Sequence, residues 1–127
     1  MIPASLLLAF ATVQTGFVLH DSGHRQPFKQ GWLNELIGMG AGNLLIGLSY
    51  RNWTDYHNKH HSNPNHVEMD PDINIPLLAY HRGKLKGKKG VGKWIVKNQA
   101  LLFFPVLFLQ AFSSRQSNFH YTIRQAL

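Results

Sequence analysis

Long apolar stretches alternate with short polar ones along the chain, and the spacing predicts helices throughout. Residues 2–19 (IPASLLLAFATVQTGFVL) are uncharged and mostly apolar over eighteen positions. That is close to the roughly 20 residues a helix needs to cross a bilayer core of about 30 Å, so the stretch reads as a membrane span. A secretory signal is a rival reading, since Ala9, Phe10 and Ala11 mimic a cleavage site. Against it, no Lys or Arg precedes the run and the run is short. A buried helix of a soluble protein has the same pattern.

Between 32 and 48, Leu33, Leu36, Ile37, Ala41, Leu44, Leu45 and Leu48 recur at helical spacing, with Asn34, Glu35 and Asn43 elsewhere around the axis. This is an amphipathic helix. Gly38, Gly40, Gly42 and Gly47 each lower its intrinsic helicity by about 1 kcal/mol relative to Ala, so it relies on core packing or on a membrane interface. Residues 51–62 predict a short polar helix, ended by Asn63, Pro64 and Asn65. An irregular stretch with Asp70, Pro71 and Asp72 follows, then a basic, glycine-rich solvated loop at 81–93.

The second long apolar segment is 94–112 (WIVKNQALLFFPVLFLQAF), uninterrupted only from 100 to 109. It fits a second span with Trp94 and Lys97 at the interface and a kink at Pro105, or a re-entrant or interfacial helix. Residues 113–127 are polar and mixed. There is no internal repeat and no low-complexity tract beyond the basic loop. The expected class is all-α: a membrane protein with about two transmembrane helices, an amphipathic interfacial helix and a short polar helix carrying histidines.

Composition narrows the chemistry. A length of 127 residues suits one domain. The absence of cysteine excludes disulfides, thiolate-bound zinc and a cysteine nucleophile, leaving histidine or oxygen as metal ligands. The formal charge of +7 is very uneven: no charged side chain precedes Asp21, and seven of the thirteen Lys and Arg residues lie at 82–97. A basic run beside apolar segments fits a cytoplasmic loop facing anionic lipid, at about 1 kcal/mol of attraction per cation near the surface. Nucleic acid is disfavoured as a partner, because the run has no recognition motif and no aromatic stacking pattern.

Five of the eight histidines form two clusters, His20 with His24 and His57 with His60 and His61. Residues four apart on a helix share a face one turn apart, so His20 and His24 point at a common centre. His57 stands one turn below both His60 and His61. That adjacent pair diverges by about 100° and reaches toward two different ions, which makes a binuclear site plausible. His66, His81 and His120 are isolated and read as ordinary structural histidines. Imidazole alone suits zinc, copper, nickel or iron, and there is neither a Glu-x-x-His pair nor a His-Glu-x-x-His motif to decide between them. Asp21 and Asp55 lie beside ligands, where they either accept imidazole N–H bonds or solvate helix ends. Asp70 and Asp72 flank Pro71 and favour a turn over metal binding, and Trp53 and Tyr56 pack either in the core or against lipid.

HDSGH at 20–24, HNKHHSNPN at 57–65 and DPDI at 70–73 resemble the membrane fatty acid desaturase family, especially its acyl-lipid and acyl-CoA branch with front-end and linoleoyl-CoA-like members. The resemblance covers most of the chain as one partial desaturase domain over 1–127, with histidine boxes at 20–24 and 57–61. It implies an oxygen-dependent di-iron oxidoreductase that removes two hydrogens from an unactivated fatty acyl chain. Aliphatic C–H bonds do not yield to acid–base chemistry, so the metal would supply the oxidising power. By position, His20, His24, His57, His60 and His61 are the implied ligands of two iron ions. The implied partners are O2, an acyl-CoA or acyl-lipid substrate, membrane lipid and an external electron donor of ferredoxin or cytochrome b5 type. The basic loop then places both boxes on the cytoplasmic side.

One departure is plain: the family's third box, His-or-Gln-x-x-His-His, does not follow His61. The resemblance therefore implies a piece lacking a C-terminal half and a first span, with little activity of its own. A related hydroxylase, ketolase or sphingolipid desaturase shares the iron chemistry, and a non-catalytic metal-binding remnant is the reading from another class.

Overall fold

A computed structural model describes residues 2–75 and 78–126, and among these all regular structure is helical. In chain order the elements are α1 (Ile2–Gly23), α2 (Gly31–Met39), a π-helix (Gly40–Ile46), α3 (Tyr50–Ser62), a 3-10 turn (Arg82–Leu85), α4 (Gly90–Lys97) and α5 (Gln99–Ala126). They divide into two compact units. The first takes the chain up to Thr54 together with the part of α5 from Arg115, and the second is Asp55–Ser114.

In the first unit, α1 is the one described helix long and apolar enough to cross a membrane. Its large side chains face outward: Leu6, Leu7, Leu8 and Phe10 are all exposed. The hydroxyls of Thr12 and Thr15 donate to the carbonyls of Leu8 and Ala11, both at 2.8 Å, which spares an apolar surface two unpaired donors. The helix closes in a Schellman arrangement. Gln26 N–H donates to Asp21 O and Arg25 N–H to Ser22 O, both at 3.0 Å, with Arg25 itself left-handed at φ 56°.

The predicted helix over 32–48 is two elements, because the backbone widens from α to π at Gly40. Its packing is inverted relative to a soluble helix. Asn34, Gly38, Ala41 and Gly42 face inward while Leu44 (84 % exposed), Leu45 and Trp32 face outward. Small residues inward let backbones approach closely, the arrangement used where lipid gives apolar side chains no reason to hide. An alanine Cβ at Gly38 would sit 2.3 Å from the Tyr50 ring, and one at Gly42 would sit 2.8 Å from Leu19 Cδ1. The small core is Leu19, Ala41 and Tyr50, edged by Met39, Ile46 and Trp53.

Polar locks complete this unit. The buried Asn34 amide accepts from Phe28 N–H at 3.1 Å and donates to Phe28 O at 2.7 Å and Gln30 O at 3.2 Å, tying the α1–α2 link to α2. The π-helix ends at left-handed Gly47, with Leu48 N–H donating to Gly42 O at 2.9 Å. Asn43 Oδ1 and Ser49 Oγ then cap the orphan N–H groups of Tyr50 and Asn52 at the start of α3. From α5, Asn118 Oδ1 accepts from Asn52 Nδ2 at 2.9 Å.

In the second unit α3 ends at Ser62, as Asn63, Pro64 and Asn65 predict, with Asn65 left-handed at φ 63°. The loop after it is organised around Asp70, whose side chain is fully buried. Further on, the Gln99 amide both accepts from Ala79 N–H at 2.9 Å and donates to Ala79 O at 3.1 Å, holding that strandless segment against the start of α5. The basic loop expected at 81–93 is shorter: α4 takes over at Gly90. The segment 94–112 is divided at Asn98, whose side chain donates to Trp94 O at 2.8 Å and whose own carbonyl starts α5. The apolar part of α5 is Gln99–Leu109, short of a full span. The helix runs on through Pro105 and takes in most of the polar, mixed segment after 112.

Candidate metal centre

The first histidine cluster sits at the end of α1. His24 N–H donates to His20 O at 3.1 Å, which keeps His24 in helical register although the helix proper closes at Gly23. The two rings meet edge to face with centroids 4.6 Å apart, and the Trp53 ring stands 5.9 Å from His20. Gly23 allows this approach: a Cβ there would come within 2.8 Å of the Trp53 ring. His20 Nδ1 lies 3.1 Å from Asp21 Oδ1, so of the two roles open to this carboxylate the structure shows the contact with the neighbouring imidazole. Between them Ser22 is fully buried, its Oγ without a hydrogen-bond partner.

The second cluster occupies the C-terminal half of α3. His57 Nε2 and His61 Nε2 face each other at 3.0 Å, with ring centroids 4.4 Å apart. Two imidazole nitrogens turned on one point suit a cation that takes both lone pairs. His60 turns away from His61, rings 5.7 Å apart and nearly perpendicular, so the divergence of the adjacent pair is present in the structure.

His60 Nδ1 lies 3.0 Å from both carboxylate oxygens of Asp70, with Asp72 Oδ2 at 3.4 Å. One donor atom from each of His60, Asp70 and Asp72 falls within 4.8 Å of the others. The hydrogen bond that His60 Nδ1–H donates to Asp70, with the charge of both aspartates, outweighs the opposing effect of burial and raises the His60 pKa above the ordinary histidine value. Burial pushes the Asp70 carboxyl up. Hydrogen bonds from His60 and from the backbone of Asp72 and Asn65 outweigh it, and the net shift is downward. Asp70, read from sequence as a turn former, does bind the turn, through Asn65 N–H at 2.7 Å and Asp72 N–H at 2.9 Å. Its grip on His60 is what the sequence reading missed, since a separation of ten positions across an irregular loop carries no periodic signal.

Asp55 lines a shallow hollow of about 460 Å³ with Asn58, Lys59, Ser62 and Asn63. Two of the isolated histidines make local contacts: His66 Nδ1 accepts from Glu68 and Met69 N–H at 3.3 Å, and the His81 ring packs on Gly83.

The family model for fatty acid desaturases matches residues 1–126. This chain belongs to the fatty acid desaturase family. Among curated relatives of this desaturase-family chain, the Delta(6)-fatty-acid desaturase of Caenorhabditis elegans is 39% identical over 88% of the chain and 26% of its own length. The Delta(8)-fatty-acid desaturase of Euglena gracilis is 35% identical over 85% of the chain and 26% of itself. The acyl-lipid (9-3)-desaturase of Physcomitrium patens is 32% identical over 85% and 22%. The chain thus spans about a quarter of the length of these desaturases. No solved structure matches.

Proposed function

We propose that the chain is the part of a membrane di-iron fatty acyl desaturase that carries its first two histidine boxes, with His20, His24, His57, His60 and His61 as iron ligands. The observation that carries the reading is the pair of Nε2 atoms of His57 and His61 meeting at 3.0 Å, in a family-matched chain whose donors are imidazole rather than thiolate. Such a neutral nitrogen set fits iron, and among the metals imidazole accepts, zinc has no redox chemistry to offer. Bound iron would supply the oxidising power for C–H cleavage by O2.

The chain's own residues prepare that site. The equal four-residue spacings of His20 with His24 and of His57 with His61 hold lone pairs one helical turn apart. Asp21 takes the Nδ1 of His20, which leaves Nε2 as the ligating nitrogen of that ring. Binding a metal there displaces protons from the imidazoles, so uptake weakens as pH falls. The outward apolar surface of α1 fits a membrane span, and the cations at 82–97 fit the cytoplasmic leaflet. Substrate would be an acyl-CoA or a lipid-linked acyl chain, and electrons would come from an external carrier. The test is metal analysis with Mössbauer spectroscopy on the full-length protein, alongside its acyl product. Two coupled irons and a new double bond are expected, and an undiminished iron content in His57→Ala and His24→Ala would refute the assignment.

A further inference from the structure

The carboxylate of Asp70 is placed unlike that of the other acidic residues. It is the only fully buried carboxylate among the described residues, and it is met from three sides by His60 Nδ1, Asn65 N–H and Asp72 N–H. Asp70 N–H donates to His66 O at 2.9 Å, and the Asn74 side chain donates to Asp70 O at 3.0 Å, so its main chain is held as well. An ionised carboxylate only accepts hydrogen bonds. A ring nitrogen 3.0 Å from both of its oxygens must therefore carry the proton.

We infer that Asp70 is a positioning residue that fixes the His60 ring as its Nδ1–H tautomer and presents the Nε2 lone pair in one orientation. The inference rests on the reading of His60 as a metal ligand. The exposed Asp72, at 3.4 Å, is the more distant second acceptor. Loop shaping accounts for the two backbone contacts but not for the contact with His60. An imidazole held this way pays less orientational entropy on binding a cation and is more basic at Nε2.

The test uses the full-length protein in detergent, labelled with 15N-histidine, at about pH 9, well above the ordinary histidine pKa of ~6.5. The His60 resonances are assigned by their loss in His60→Gln. Wild type is expected to show a protonated Nδ1 and an unprotonated Nε2 without any metal added. In Asp70→Asn the tautomer preference should collapse toward a mixture, and Co(II) added as a probe should bind roughly 10- to 100-fold more weakly; Asp72→Asn should change both far less. A neutral His60 ring in the wild type with its proton on Nε2 instead of Nδ1 overturns the inference, and so does Co(II) affinity in folded Asp70→Asn equal to that of the wild type. If Asp70→Asn does not fold by circular dichroism, the wild-type spectrum still decides. Co(II) affinity untouched by His57→Ala would strike the ligand reading, whereas a mixed His60 tautomer in a wild type that binds Co(II) would strike Asp70 alone.

Discussion

Replacing Gly38 with alanine sets two effects of opposite sign against each other. Alanine favours helix over glycine by about 1 kcal/mol, and Gly38 lies inside α2. The new Cβ, however, would stand 2.3 Å from Cε2, 2.4 Å from Cζ and 2.8 Å from Cδ2 of Tyr50. The obstacle is a ring face rather than a flexible tip, and Tyr50 is buried with its N–H fixed on Asn43 at 2.8 Å. Overpacking of this kind costs about 1–3 kcal/mol, and more when backbone must move. The net expectation is a loss of up to about 2 kcal/mol, read as a lower thermal midpoint in detergent. Gly40→Ala is the internal control, since nothing lies within 4 Å of a Cβ there and its backbone is right-handed helical; it should gain about 0.5–1 kcal/mol. Combining Gly38→Ala with Tyr50→Ala isolates the clash as a coupling energy. If Gly38→Ala is as destabilising in the Tyr50→Ala background as in the wild type, the close-approach argument is wrong.

Asn34→Ala should lower stability by about 2–3 kcal/mol, since it removes three hydrogen bonds and leaves the Phe28 N–H without its acceptor; thermal melts check it, and a change below 0.5 kcal/mol, about the scatter of surface substitutions, would contradict the buried lock. Arg25→Gly should stabilise by roughly 0.5–1 kcal/mol, because left-handed backbone penalises a Cβ more than glycine penalises the unfolded chain. Chelation of metal from the full-length protein should abolish acyl product, and Fe(II) should restore it to wild type but not to His57→Ala, as gas chromatography of the acyl chains would report.

Helix α1, the polar helix closing before Asn63 and the two clusters at one-turn spacing were all legible, because each depends on neighbours within about one turn. The π coil over 40–46 was not: a glycine-rich stretch with helical periodicity is compatible with α or π geometry, and Tyr50 against Gly38 settles the packing from twelve residues downstream. The break at Asn98 escaped notice because it lies within a run read as one apolar segment, where only the side-chain bond back to Trp94 reveals an end. The continuation of α5 through its polar part draws on Asn52, far away in the chain. Of the site, the histidines were visible and Asp21 was found by adjacency, while the role of Asp70 depends on how an irregular loop folds back onto α3.

The inverted wrapping of α1 and α2 sets how this fold responds to temperature. Apart from Leu19, its large leucines and phenylalanines such as Leu6, Leu7, Leu8, Phe10 and Phe17 face outward whether or not tertiary packing is intact, so losing that packing within lipid hydrates little new hydrocarbon. The heat-capacity increment of that transition is correspondingly small, and stability varies almost linearly with temperature instead of following a steep dome. Cooling should bring neither the weakening nor the cold unfolding that a water-driven core would show.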